Sequence, residues 1–274
     1  MNSEANSETT TATRPVELIR PSHHLVSLFH LYIFWYLRRH FHSLRLANAD
    51  RFPATRRPLI VYLNHASWWD PLVSMLVSHR FVPQADHYAP MDAEALRHYG
   101  VFRRLGLFPV EMGTPRGAAQ FLRASKQILS EPESLLWITP EGHFNDVRTR
   151  PVVFKPGLSS LLSRVGRVTV VPLAIEYTFW DERLPEILIN CGEPLNIGDG
   201  HVEDSSTWNN LLAYAMTATL DELAGLSMTR GAANFETLVA GGSGISGIYG
   251  LWKRALSTMR GEAYKSEHGS IHKL

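Results

Sequence analysis

The chain has 274 residues, of which 45% are hydrophobic and 19% are charged, and its formal net charge is +1. This length suits one domain, or one domain with appendages, and it is sufficient to bury a sizeable core. The composition excludes wholesale disorder, collagen and repeat arrays. One cysteine, Cys191, excludes an intramolecular disulfide and a cysteine-based metal cluster. The net charge gives no reason to expect a nucleic-acid partner.

The N-terminal part of the chain predicts a short tail followed by a helix at a membrane surface. Residues 1–15 are expected to form a disordered tail, because they are mostly polar and low in complexity. An apolar run at 25–37 would rise only about 20 Å as a helix, short of the roughly 30 Å hydrocarbon core. Basic residues flank the run: Arg20, Arg38 and Arg39. We expect residues 16–52 to associate with the cytoplasmic face of a membrane as a peripheral or monotopic segment; the alternative is a soluble core helix.

The middle of the chain alternates between strand and helix patterns. Strands are predicted at 58–64, 86–90, 107–111, 134–139, 168–177 and 186–191. Helices are predicted from Asp70-Pro71 to residue 81, from a cap at Asp92, and at 116–130, 157–166 and 205–226. This alternation predicts an α/β catalytic domain at 53–230, with a mostly parallel or mixed sheet flanked by helices. A glycine-rich hinge and a C-terminal helix are predicted at 231–274, either as a docked tail or as a second surface contact.

A histidine and an aspartate follow the first of these strands. His65 comes where the strand ends, and Asp70 comes where the next helix begins. Ligands of α/β sheets gather at the carboxyl ends of strands, and a tight turn there would bring Asp70 back to His65. The carboxylate would then hold one imidazole nitrogen protonated and leave the other free as a base. The alternatives are that Asp70 only caps the helix, or that His87 and Asp92, which share the spacing, form the pair.

A second signal lies at the end of another predicted strand, in Pro140-Glu141-Gly142. Glycine permits close approach of the backbone to a ligand, and Glu141 there suits a ligand contact or an electrostatic partner. A plain strand-to-loop turn is the alternative.

These segments together resemble the glycerolipid acyltransferase family, whose best-known members are the 1-acyl-glycerol-3-phosphate acyltransferases. Four blocks occur in the family's order over about residues 55–180: Asn64-His65 with Asp70, Gly106 to Glu111, Pro140-Glu141-Gly142, and Val171-Pro172. The segment Phe154-Lys155-Pro156-Gly157 also resembles the stretch before the fourth block.

The resemblance implies an O-acyltransferase of lipid metabolism that is active at a membrane. His65 would deprotonate the hydroxyl of a lipid acceptor such as a lysophospholipid, which attacks the thioester of acyl-CoA or acyl-carrier protein. Asp70 would orient His65, and no acyl-enzyme would form. The implied substrate-binding residues are Asn64, Pro140, Glu141, Gly142 and Arg116. We expect no cofactor beyond the acyl donor. A metal enzyme is a distant alternative and no metal ligands are predicted, because no His-x-x-x-His helix pair with a carboxylate stands out.

Two departures from the family pattern concern the head group of the acceptor. The second block usually continues with an arginine that binds phosphate, and here the position is Met112. The third block usually continues Thr-Arg-Ser, and here it is His143-Phe144-Asn145. Nearby arginines could compensate: Arg103, Arg104, Arg116, Arg148 and Arg150. Otherwise the acceptor lacks a phosphate, as in a glycosylated lipid alcohol.

Two other function classes compete with acyl transfer. A serine hydrolase is disfavoured because the sequence has no Gly-x-Ser-x-Gly elbow. A catalytically silent lipid-binding module is disfavoured by the intact pair of His65 and Asp70.

Overall fold

The structure is a computed structural model that describes residues 18–53, 58–198 and 203–242. Its helices are α1 (His23–His40), α2 (Asp70–Phe81), α3 (Ala93–His98), α4 (Pro115–Ile128), α5 (Gly157–Leu162) and α6 (Ser205–Thr229). Its strands are β1 (Ser43–Ala47), β2 (Leu59–Leu63), β3 (Asp86–Asp92), β4 (Leu107–Val110), β5 (Ser134–Ile138), β6 (Val168–Thr178), β7 (Glu186–Cys191), β8 (Leu195–Ile197) and β9 (Glu236–Ala240). The predicted tail at 1–15 and most of the predicted hinge and C-terminal helix lie outside the described residues.

The strands form one mixed sheet in the order β4-β3-β5-β2-β6-β7-β1-β9, with β8 paired to β6. The five strands from β4 to β6 are parallel, so their carboxyl ends share one edge of the sheet. Strand β7 runs antiparallel to β6, and β1 runs parallel to β7. The predicted α/β class with a mostly parallel or mixed sheet is therefore confirmed.

Helices cover both faces of the central strands, which explains why β2, β5 and most of β6 are continuously buried and almost entirely apolar. Neighbouring residues of β2 point to opposite faces and join different cores. Ile60 and Tyr62 pack with side chains of α4, α5 and α6. Val61 and Leu63 pack with side chains of α1 and α2. The result is a three-layer arrangement with the sheet between two layers of helices. The carboxyl ends of β2, β5 and β6 lie at one edge of this sheet.

The sheet is wider than the predicted catalytic domain at 53–230. Strand β1 lies within the segment that the sequence assigned to membrane association, and it pairs with both β7 and β9. Strand β9 lies within the segment assigned to the hinge and C-terminal helix. Both additions are short, and only their pairing with each other and with β7 shows that they belong to the sheet.

Helix α1 is present where a helix was expected, and it has two different faces. Ile33 and Leu37 are buried against the core, whereas Leu31 and Trp35 are exposed. In the described parts of the chain, no helix is both long enough and apolar enough to cross a membrane. Helix α1 therefore combines a core contact with an exposed apolar face.

Candidate active site

The loop between β2 and α2 holds the predicted pair at the carboxyl edge of the sheet. The Nδ1 atom of His65 lies 2.8 Å from Oδ2 of Asp70. An ionised carboxylate only accepts hydrogen bonds, so Nδ1 carries the proton and Nε2 presents its lone pair. The side chain of Asp70 is 1% exposed and that of His65 is 20% exposed, so the imidazole reaches solvent while its partner does not. Within the described residues, Nε2 has no hydrogen-bond partner. This geometry suits a general base.

The carboxylate of Asp70 is held from three directions. Besides His65, Oδ2 accepts a hydrogen bond from the backbone N–H of Ser67 at 3.0 Å. Oδ1 accepts one from the hydroxyl of Tyr177 at 2.7 Å. Trp69, not Asp70, is the N-cap residue of α2, and Asp70 is the first residue of that helix. The alternative that Asp70 only caps the helix therefore does not describe its contacts.

Sequence reasoning did not single out Tyr177. It lies near the carboxyl end of β6, beside the end of β2, and its position at that edge was the only available signal. Burial raises the pKa of the Tyr177 hydroxyl far above its ordinary value, and the charge of Asp70 raises it further. The hydroxyl therefore stays protonated and donates to the carboxylate.

Asn64 fastens the end of β2 to β6. Its Nδ2 donates to the carbonyl of Ile175 at 3.0 Å, and its Oδ1 accepts from the N–H of Ile175 at 2.8 Å. The side chain is buried, and both ends of the amide are occupied by the neighbouring strand. The structure thus places this predicted substrate-binding residue where it positions the His65 loop.

Glu141 joins the segment after β5 to the same loop. Its Oε1 accepts from the backbone N–H of His65 at 3.0 Å, and its Oε2 accepts from Nδ2 of Asn145 at 2.9 Å. The N–H of Asn145 donates to the carbonyl of His65 at 2.8 Å, which closes the arrangement. Glu141 is buried, so this carboxylate forms a clamp on the backbone of His65.

Pro140 and Gly142 flank this clamp, and both contact Lys155 of the segment Phe154-Lys155-Pro156-Gly157. The carbonyl of Pro140 accepts from the N–H of Lys155 at 2.9 Å, and Nζ of Lys155 donates to the carbonyl of Gly142 at 3.2 Å. Gly142 has a φ of +67°, and a Cβ there would lie 2.7 Å from Nζ of Lys155. The positive φ favours glycine at this position, and an added Cβ would also require the Lys155 side chain to shift.

Exposed aromatic side chains lie against the imidazole and in the loop that carries it. The ring centroid of Phe144 lies 4.3 Å from that of His65, and Phe144 is 58% exposed. Trp68 is 57% exposed and packs on Trp69, with ring centroids 4.4 Å apart. Phe144 thus places an apolar ring beside His65 where the family pattern has an arginine in the third block.

Arg116 lies apart from the pair. It is in the first turn of α4, the helix that follows β4. Strands β4 and β2 are three strand spacings apart in the sheet, which is about 14 Å. Its side chain is exposed, with Nε 3.5 Å from Oε1 of Glu111. The structure gives no contact between Arg116 and the residues around His65.

The other arginines proposed as compensating groups are also engaged or remote. Arg148 pairs with Asp146 at 2.7 Å, and Arg150 pairs with Asp221 at 2.6 Å. Arg103 and Arg104 lie in the 3-10 helix before β4. This helix is at the amino end of β4, and therefore at the edge of the sheet opposite to His65.

The second pair with the same spacing does not form. The carboxylate of Asp92 accepts from the backbone N–H groups of Glu94 and Ala95 and so caps α3, as the sequence indicated. Burial lowers the pKa of His87 to about 4. Cys191 is buried as well, and burial raises the pKa of its thiol to about 12, which leaves it a poor nucleophile.

Comparison with known proteins gives a match to one protein family. The model of the acyltransferase family, to which glycerolipid acyltransferases belong, matches residues 43–176. The match runs from the start of β1 into the last part of β6, and it includes His65, Asp70 and Glu141. No curated protein matches the chain. The resemblance drawn from the four sequence blocks is therefore confirmed.

Proposed function

The chain carries a domain of the acyltransferase family, and on that premise we propose that it transfers a fatty acyl group from acyl-CoA or acyl-carrier protein to a lipid hydroxyl. A lysophospholipid such as 1-acyl-glycerol-3-phosphate is the first candidate acceptor. The observation that carries the proposal is the bond between His65 and Asp70, which leaves Nε2 free at the carboxyl edge of the sheet.

The proposed reaction needs no covalent enzyme intermediate. Nε2 of His65 takes the proton of the acceptor hydroxyl as its oxygen attacks the thioester carbonyl carbon. The tetrahedral intermediate collapses, the carbon–sulfur bond breaks, and the leaving thiolate recovers the proton from the imidazolium. The negative carboxylate of Asp70 stabilises that imidazolium. General base catalysis of this kind contributes roughly 10²–10⁴-fold, so positioning of the two substrates supplies much of the remainder.

The exposed face of α1 supports docking on a membrane surface. Its apolar residues are joined by a basic last turn: Leu28, Leu31, Tyr32 and Trp35, followed by Arg38 and Arg39. Trp69 in the His65 loop contacts the end of α1, with its ring 5.4 Å from Tyr36 and 4.9 Å from Phe41. A helix that lies in the interface of an anionic membrane would therefore bring the site close to its lipid acceptor.

A phosphate-free lipid alcohol is the second candidate acceptor, and specific contacts favour it. Met112 and Phe144 occupy positions where the family pattern has arginines, and Phe144 packs against His65. Arg148 and Arg150 are paired with carboxylates. A neutral acceptor, such as a glycosylated lipid, would not need a guanidinium fork to bind two phosphate oxygens.

A mass-spectrometric screen tests the function and separates the two acceptors. Isotope-labelled acyl-CoA and acyl-carrier protein are each offered with 1-acyl-glycerol-3-phosphate, a monoacylglycerol and a glycosylated lipid alcohol. We expect a labelled ester that forms only when acceptor and donor are both present. Release of labelled free fatty acid at the same rate without any acceptor would contradict acyl transfer and indicate a hydrolase.

A further inference from the structure

Tyr177 contacts the proposed catalytic pair from a distant part of the chain. Its hydroxyl donates to Oδ1 of Asp70 at 2.7 Å across 107 positions of sequence. The other oxygen, Oδ2, accepts from His65 and from the N–H of Ser67. Donors on both oxygens fix the plane of a carboxylate, whereas donors on one oxygen leave it free to tilt about the Cβ–Cγ bond.

The surroundings of Tyr177 make this hydroxyl a fixed donor. Its backbone lies in β6, where Tyr177 pairs with Ile187 of β7. Its ring lies 6.0 Å from the ring of Phe41. Because burial and the carboxylate both raise the pKa of the hydroxyl, it keeps its proton throughout the pH range in which an enzyme works.

We propose that Tyr177 is a positioning residue for acyl transfer, acting on His65 through Asp70. This inference rests on the proposed function, in which His65 is the base. The hydroxyl does not touch either substrate. It fixes the orientation of the carboxylate, and the carboxylate fixes the tautomer and the plane of the imidazole, so that Nε2 points at the acceptor hydroxyl.

The test compares two buried tyrosines that each donate one hydrogen bond. Tyr177→Phe removes the donor to Asp70. Tyr62→Phe is the matched control, because the Tyr62 hydroxyl donates to the carbonyl of Leu212 at 3.0 Å, on the other side of the sheet. We expect Tyr177→Phe to lower kcat about tenfold, as for the loss of one hydrogen bond to a charged group, with KM for the acyl donor unchanged. Tyr62→Phe is expected to keep the wild-type kcat.

A spectroscopic signal separates positioning from general loss of stability. The Nδ1 proton shared by His65 and Asp70 gives a downfield proton resonance, which is assigned by its loss in His65→Ala. We expect this resonance to shift in Tyr177→Phe and to stay in place in Tyr62→Phe, with melting temperatures measured for both.

The outcomes distinguish this inference from the proposed function. If Tyr177→Phe keeps the wild-type kcat and resonance while His65→Ala is inactive, the inference is overturned and the function stands. Equal losses of kcat in both tyrosine variants, with equal falls in melting temperature, would also overturn it. Full activity of His65→Ala would show that His65 is not the base, and would overturn both the proposed mechanism and this inference.

Discussion

Replacing Glu141 with glutamine separates two roles for this residue. The family resemblance implies contact with the acceptor, whereas the structure shows a carboxylate that clamps the loop of His65. The carboxylate accepts two hydrogen bonds, from the N–H of His65 at 3.0 Å and from Nδ2 of Asn145 at 2.9 Å. Glutamine keeps one acceptor oxygen and turns its own NH2 group towards one of these donors.

The magnitude follows from those two contacts. The amide of Asn145 cannot simply rotate to accept from glutamine, because its Oδ1 already accepts from the N–H of Asp146 at 3.0 Å. A hydrogen bond to a charged group contributes about 1.5–3 kcal/mol. Losing one such bond in Glu141→Gln should lower the free energy of unfolding by about 2 kcal/mol. For a chain of this size the melting temperature should fall by roughly 4–8 °C.

Activity and stability are measured on the same preparations. We expect kcat to fall together with the melting temperature, because the displaced loop carries the base, and KM for the acceptor to change little. Asn145→Ala is the control: it removes the side-chain bonds to Oε2 of Glu141 and to the N–H of Asp146 but leaves the N–H of His65 donating to Oε1 of Glu141. We therefore expect Asn145→Ala to lower the melting temperature with a smaller loss of kcat. An unchanged melting temperature with a raised KM for the acceptor alone would refute the clamp and support direct contact with substrate.

Two further predictions concern the membrane surface and the response to acid. Leu31→Ser combined with Trp35→Ser should weaken co-sedimentation with anionic liposomes severalfold at low salt. Tyr214→Ser, a change at a more exposed side chain on α6, should not weaken it. Equal binding by all variants would argue against the α1 surface. The buried His87 binds a proton only near pH 4, whereas the unfolded chain binds one near 6.5, so His87 makes the fold less stable as pH falls between these values. Its contribution to the free energy of unfolding should fall by about 2 kcal/mol between pH 7 and pH 5. Chemical unfolding at both pH values should show a smaller fall for His87→Asn, and an identical fall would contradict the assignment.

The central strands and the longer helices could be predicted because their signals are local. The apolar run at β2 and the Asp70-Pro71 start of α2 are visible in the sequence, and the structure has both elements. Strands β1 and β9 could not be found in this way, because their short segments gain their stability from pairing with each other. The order of apolar and polar residues within one segment contains no information on its pairing with a distant segment.

The site shows the same division between local and long-range information. His65 and Asp70 are five residues apart, so a single turn predicts their contact. Tyr177 reaches Asp70 only because β6 lies beside β2 in the sheet. Glu141 was singled out by its motif, but its contact with the backbone of His65 depends on the adjacency of β5 and β2. The fold, not the motif, therefore decides what the carboxylate of Glu141 touches.

The central claim is that His65 is the base, and His65→Ala tests it most directly. The variant is assayed for ester formation from labelled acyl donor and the preferred acceptor, with binding of the acyl donor measured separately. His87→Asn is the control, since His87 has the same spacing to an aspartate but no contact with it. The account predicts that His65→Ala loses at least about 100-fold in kcat while it still binds the donor, and that His87→Asn stays active. Ester formation by His65→Ala at the wild-type rate would contradict it.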